Sequence, residues 1–285
     1  MDNPIRARGD LRRTTAILLA GTVLGGAPVF AQTADEAILL DEIVVTASGF
    51  EQNVRDAPAS ISVITAEELE KGSFTSLSDA LREVQGVVTT GVADAQDIYI
   101  RGLPGQYTLI LVDGKRQNTR DSRTNGNSGY EQSFIPPISA IERIEVVRGP
   151  MSSLYGSDAM GGVINVITTP VADTWSGSVT VEGTFQDNKD FGNSQQQSFY
   201  LSGPVVNDRL GLQVWGRKFD QDPSSISNGP SGSDDFDLTG RLSLMLNDNN
   251  DLFLEAGRTR ITSQEDGTED YRDHDRDHWS LTHRG

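Results

Sequence analysis

Phe236-Asp237-Leu238-Thr239-Gly240-Arg241-Leu242-Ser243-Leu244-Met245-Leu246 decides the fold. Apolar side chains recur at every second position, the period of a strand with one greasy face, not of a helix. The same rhythm flanks it. Gly177, Val179, Val181, Gly183 and Phe185 alternate with small or polar residues, as do Phe199, Leu201, Gly203 and Val205. Leu210, Leu212 and Val214 continue it, then Leu252, Leu254 and Ala256. Segments of about 10 residues with a dyad pattern are the signature of transmembrane barrel strands. The expected connections alternate in length: long near Asp187–Gln195, short at Asn207-Asp208, long over Asp220–Asp235, short over Asn247–Asn250, long over Gln264–Arg276. Outer-membrane barrels have short turns on one side and longer loops on the other. A soluble sandwich would alternate in hydropathy but gives no reason for turns to alternate in length. Residues 171–285 are therefore expected to be the first five to six antiparallel strands of an outer-membrane β-barrel. Closure takes about eight strands at least. The barrel is expected to be incomplete in this chain, either because a longer protein supplies the rest or because the product is truncated.

Before Pro170 the pattern changes. Residues 58–170 read as one α+β domain. Ile61–Ile64 is a short strand. Thr65 with Glu68 three residues on is a capping box that starts a helix through Lys71. Ser76 with Asp79 starts a second helix, ended by Gly86. Val87–Thr89, Ile98–Ile100, Leu109–Val112, Ile144–Val147 and Val163–Ile167 are strands, and Asp113-Gly114 is a turn. Lys115–Phe134 is a long polar loop, a length usually reserved for function or disorder.

The N-terminus carries Arg6, Arg8, Arg12 and Arg13, then the apolar run Thr14–Ala27, then Ala31. That is the layout of a secretory signal peptide over residues 1–31, too short for a membrane helix of roughly 20 residues. Residues 32–57 are linker-like around one β-branched box, Asp41-Glu42-Ile43-Val44-Val45-Thr46-Ala47. With no sheet of its own, the box is expected either to add to a partner's sheet edge or to be the first strand of the next domain. The 24 Lys and Arg against 41 Asp and Glu give a net charge of −17, which excludes a nucleic-acid partner. The absence of Cys excludes disulfides, thiolate zinc sites and Cys nucleophiles. No catalytic constellation is found, neither a nucleophile elbow nor His-Glu-x-x-His, so an enzyme is not expected. Gly156–Gly162 lacks the Lys-Ser/Thr ending of a phosphate loop. His274 and His278 lie among Asp273, Asp275 and Asp277, but His278 sits where an EF-hand loop wants Gly. No metal site or resident cofactor is expected, and this stretch reads as a hydrated extracellular loop.

The order of these segments resembles that of a TonB-dependent outer-membrane receptor. DEIVVTA (41–47) resembles the TonB box. DAPASISVIT (56–65), IRG (100–102), TLILVDGKR (108–116), IERIEVVRGP (141–150) and SSLYGSDAMGGVINVIT (152–168) resemble its plug domain, in order. The wording is closest to the colicin I receptor type of catecholate siderophore receptor. The resemblance implies an α+β plug followed by barrel strands. It further implies a bacterial outer-membrane location with the plug side facing the periplasm, and active uptake of a ferric siderophore as transported ligand. Implied partners are the TonB energy-coupling complex, outer-membrane lipid and a colicin. Asp41–Ala47 is then the TonB-binding segment. Glu142, Arg143, Glu145 and Arg148 are expected to make ion pairs across the plug–barrel boundary, the alternative being a solvated strand edge. A ferric tris-catecholate is an anion with aromatic faces, which suits Arg. Arg116, Arg120, Arg123 and Tyr130 are the expected ligand contacts, the alternative being a solvated loop. Another cargo (haem, cobalamin or a carbohydrate) or a truncated plug fragment that only binds periplasmic partners are the competing functions.

Overall fold

The computed structural model of the protein describes residues 44–45, 52–53, 60–72, 74, 76–90, 97–117, 133–188, 190–226, 231–247, 249–264 and 271–285. The signal-peptide region, Asp41, Glu42, Ile43, Thr46 and Ala47 of the box, and Arg120, Arg123 and Tyr130 lie outside the described residues.

The chain begins, as described, with two short strands, β1 (Val44–Val45) and β2 (Gln52–Asn53). They pair antiparallel as a two-stranded sheet of their own. This corrects the expectation that the box has no sheet of its own. The reason is local: the partner is the linker downstream, whose residues carry no β-branched signal.

The α+β part follows as β3 (Ser60–Thr65), α1 (Ala66–Gly72), α2 (Leu77–Leu81), β4 (Val87–Thr90) and β5 (Asp97–Ile100). It continues with β6 (Thr108–Val112), β7 (Lys115–Arg116), β8 (Ile141–Arg148), α3 (Ser152–Tyr155) and β9 (Gly162–Thr168). The capping box forms: the Thr65 N–H donates to Glu68 Oε2 at 2.8 Å, and the Glu68 N–H to Thr65 Oγ1 at 3.4 Å. Ser76 Oγ accepts from the Asp79 N–H at 3.2 Å and starts α2. Five strands make one sheet in the order β3-β8-β9-β6-β7, with β6 and β9 parallel, while β4 and β5 pair separately. Every residue of β6 is buried, as its unbroken apolar run Leu109–Val112 requires of a strand covered on both faces. On one face Ile110, Ile144, Val146, Ile164 and Val166 pack under Leu69, Leu77 and Leu81 of the helices. On the other, Leu109, Leu111, Val147 and Val163 close over Ala159.

Six long strands complete the chain: β10 (Ser176–Thr184), β11 (Ser194–Val206), β12 (Leu210–Gln221), β13 (Gly232–Asn247), β14 (Asn250–Gln264) and β15 (Tyr271–Arg284). They form one antiparallel meander in chain order, and the sheet does not close. Leu242 lies opposite Leu254, and Leu254 opposite Leu281, so one face carries continuous apolar rows. That face is open: Val179 is 79% exposed, Trp279 80% and Leu281 61%. The opposite face buries Gln213, Thr239, Arg241 and Glu255 against the α+β part. An apolar outside and a polar inside invert the soluble arrangement and match a wall between lipid and a polar lumen. Among the described residues no helix is long and apolar enough to cross a membrane.

Two expected loops are shorter than the sequence rhythm implied. β12 runs to Gln221 and β13 starts at Gly232, so the connection is residues 222–231. The His274–His278 stretch is not a loop but lies within β15. The apolar alternation fades there because cross-strand polar pairs replace apolar rows. Arg260 Nε donates to Asp275 at 2.8 Å and Thr262 Oγ1 to Asp273 at 2.8 Å.

Replacing Leu242 by Arg tests the orientation. The variant should lose about 2–4 kcal/mol of folding free energy in lipid, against about zero for Asn247→Arg at the turn. Urea titration of folding into phospholipid vesicles measures both.

Candidate functional site at the plug and wall contact

The Asp113-Gly114 turn between β6 and β7 is where the α+β part meets the wall. Asp113 has φ 48° and Gly114 φ 74°, the pair of positive values that a two-residue turn of this hand demands and that Asp-Gly supplies. The Asp113 carboxylate accepts from the Thr168 N–H and hydroxyl at 2.9 Å each, and Asn165 Oδ1 accepts from the Gly114 N–H at 3.1 Å. β9 thereby fixes the turn.

Arg241 reaches this turn from β13. Its Nη2 donates to Asp113 Oδ2 at 2.6 Å, and its Nη1 to Thr168 Oγ1 at 2.6 Å. Nε and Nη2 also donate to Glu255 Oε2 of β14, at 2.8 and 2.5 Å. The guanidinium lies 5.1 Å from the Trp215 ring centroid. Lys115 Nζ donates to Glu255 Oε1 at 2.7 Å and to Ser280 Oγ of β15 at 3.4 Å. Two cations thus meet two carboxylates, with the side chains of Arg241 and Glu255 only 7% and 8% exposed. Charge-assisted bonds of this kind hold position well, and the planar fork of Arg reaches several acceptors at once.

Smaller contacts extend the seam. Gln213 Nε2 donates to the Thr169 carbonyl at 2.7 Å and to Tyr200 Oη at 2.9 Å. Tyr200 and Trp215 pack with Ala140 as a small apolar cluster. Arg217 Nη2 donates to the Ser133 carbonyl at 3.0 Å, and Arg276 stacks 4.6 Å from the Phe134 centroid. Elsewhere the contact opens into a cleft of about 460 Å³ between Ile135–Ser139 and the wall residues Ser178, Thr180 and Ser198.

The family model for the TonB-dependent Receptor Plug Domain matches residues 53–163. The chain belongs to the TonB-dependent receptors. The iron-regulated outer membrane virulence protein of Vibrio cholerae is 48% identical over 226 residues, 79% of this chain and 34% of that protein. The ferric enterobactin receptor PirA of Pseudomonas aeruginosa is 33% identical over 287 residues, 89% of this chain and 38% of its own. The crystal structure of the siderophore receptor PirA from Acinetobacter baumannii superposes with a TM-score of 0.69 at 30% identity, covering 81% of this chain and 38% of that one. The chain thus spans about a third of the length of the curated relatives it matches. It is a plug with barrel strands, and its relatives are receptors of the outer membrane, not enzymes.

The plug residues expected at the boundary make their ion pairs elsewhere. Arg143 pairs with Glu142 at 2.5 Å and with Glu145 at 3.0 Å. Arg148 donates to Ser62 Oγ at 2.9 Å and to the Gln85 carbonyl. All of these partners belong to the plug: Glu142 and Glu145 lie on β8 itself and Ser62 on the neighbouring β3. Asp113, Lys115, Arg241 and Glu255 hold the boundary instead. For the wall pair the signal was present but unread: Arg241 and Glu255 fall on the parity opposite to the leucines of β13 and β14.

Arg116 of the expected ligand set is half exposed. It pairs with Asp158 and donates to the Tyr155 carbonyl at 2.5 Å, bracing β7 against the α3 region. Burial, and secondarily the Glu145 carboxylate, pushes the Tyr155 phenol above its usual range, so it stays neutral beside that arginine. Arg120, Arg123 and Tyr130 lie outside the described residues. His278 Nε2 approaches Glu255 Oε1 at 3.9 Å, and no group of three or more His, Cys, Asp or Glu fit to hold a metal occurs among the described residues.

Arg241→Met leaves the buried Glu255 and the part-buried Asp113 facing one cation and should cost about 3 kcal/mol of plug docking. Arg241→Lys should fall between, keeping the charge without the fork. Hydrogen exchange at the Thr108–Val112 amides, faster in the order wild type, Lys, Met, measures this.

Proposed function

We propose that the protein carrying this chain imports ferric siderophores across the bacterial outer membrane, coupled to TonB, with catecholates as cargo. The observation that carries this reading is the docking of the plug on the polar wall through Asp113, Lys115, Arg241 and Glu255. Such contacts can be exchanged for water when the plug moves, which an apolar interface would resist. The cargo rests on similarity to relatives named for iron regulation and for ferric enterobactin. In this reading residues 1–31 export the chain. Residues 32–57 carry the box and linker, and Asp41–Ala47 adds as a strand to TonB in the periplasm. Arg120, Arg123 and Tyr130 take the anionic, aromatic ligand, while Arg116 braces β7 against the α3 region. Colicin use of the same surface belongs to the colicin I receptor likeness.

Cells that depend on this receptor should accumulate ⁵⁵Fe supplied as a ferric catecholate, and excess haem or cobalamin should not compete. Competition by either would move the cargo within the family. Val45→Pro should reduce uptake to background while equilibrium binding of the ferric catecholate to outer membranes is retained. A periplasmic product that captures TonB without any uptake would replace transport by an interaction role.

A further inference from the structure

Arg217 of β12, Asp237 of β13, Thr259 of β14 and Arg276 of β15 stand directly opposite one another, strand to strand, in one row. Asp237 and Thr259 share the parity of Arg241 and Glu255, so the row faces the plug. Both of its arginines touch plug residues, and both do so through uncharged groups. Arg217 Nη2 donates to the Ser133 carbonyl at 3.0 Å, and the Arg276 guanidinium lies 4.6 Å from the Phe134 ring centroid. The Asp237 carboxylate is spent locally, accepting from Thr259 Oγ1 at 2.7 Å.

Arg276 is the underused member. Its side chain is half-buried, yet among the described residues no hydrogen bond or ion pair reaches it, and the Phe134 ring is its partner. A guanidinium carries five N–H donors in a planar fork besides the face that stacks. Phe134 uses the face and offers the donors nothing. An iron-bound catecholate presents the same aromatic face with anionic oxygens on the ring. It can stack as Phe134 does and also accept charge-assisted hydrogen bonds, which are roughly twice as strong as neutral ones. The better partner for Arg276 is therefore an anionic aromatic group, not the phenyl ring that the plug supplies.

We propose that Arg276 is a contact for the cargo and that Phe134 is its placeholder. The incoming iron-bound catecholate takes the position of Phe134 against Arg276, and that exchange releases Ser133–Phe134 of the plug from the wall. This rests on the catecholate reading of the cargo, and the test separates the two.

The variants are made in the full-length receptor in outer-membrane vesicles. They are titrated with ⁵⁵Fe-labelled ferric enterobactin, a tris-catecholate. Phe134→Leu keeps apolar bulk and removes the ring. It should bind the probe about 3-fold more tightly, because no cation–π contact has to be given up. Arg276→Gln should bind about 20-fold more weakly. Arg276→Lys, which keeps the charge without the planar face, should fall between. In the Phe134→Leu, Arg276→Gln double variant the gain from removing the ring should vanish, since the contact it relieves is already gone. Saturating the wild type with the probe should speed amide hydrogen exchange at Phe134 and Ile135. Binding by Phe134→Leu that is unchanged or weaker, undiminished binding by both Arg276 variants, a gain that persists in the double variant, or no faster exchange each overturns the placeholder. A wild type that does not bind the probe removes the catecholate reading itself, and the placeholder with it.

Discussion

Arg241 is the point on which the plug's position turns. Its guanidinium donates to Asp113 and Thr168 of the plug and to Glu255 of the neighbouring strand, while its face rests on Trp215. A cation this buried persists only with its hydrogen-bonding capacity used, and here the acceptors come from both sides of the seam. The Asp-Gly turn must therefore have its unusual backbone, β9 must present Thr168 beside it, and β13 and β14 must be in the register that sets Arg241 opposite Glu255. A slip of one residue along β13 would send Arg241 to the lipid side and Leu242 into the lumen. The apolar rows outside and the charged cluster inside are thus one register choice seen from two faces.

Much of this architecture is legible in the sequence because it depends on short-range chemistry. Thr65 with Glu68 and Ser76 with Asp79 announce the two helices, and both caps form as bonds in the structure. The leucines of β13 announce their strand. What escapes is the part that depends on partners far along the chain. Glu142, Arg143, Glu145 and Arg148 look like boundary charges because a β-strand with alternating acids and bases looks exposed. Glu145 is in fact fully buried inside the plug, and only topology says which sheet neighbours β8 meets. The Asp113–Arg241 pair spans two segments that share no local signal.

The upper parts of the strands show a second limit of pattern reading. Apolar alternation reports on lipid contact, so it stops where lipid stops, while the backbone ladder does not need it. Past that level β14 and β15 are joined by Arg260 with Asp275 and Thr262 with Asp273 on exposed positions. Exposed pairs of this kind contribute little each, and the ladder's own hydrogen bonds carry the strand. Reading a loop from Gln264 to Arg276 mistakes the end of the apolar belt for the end of the strand.

Two kinds of contact divide the labour inside the chain. Leu81, Val146 and Ile164 are fully buried among other apolar groups. Separating them exposes hydrocarbon to water, a cost that grows with every Å² opened. The seam against the wall is different. Its donors and acceptors find equivalent partners in water, and the neighbouring cleft already interrupts it. A displacement applied to the chain upstream of Ser60 therefore meets a plug that resists as a body and a boundary that yields bond by bond. Because among the described residues β3 is an edge strand paired with β8 alone, while the Asp113 turn near the opposite edge holds the wall, the upstream chain and the anchoring turn lie across the width of the sheet from each other. The apolar core between them must transmit any such displacement, which is why the buried faces of β8, β9 and β6 matter as much to the receptor as the charges they position.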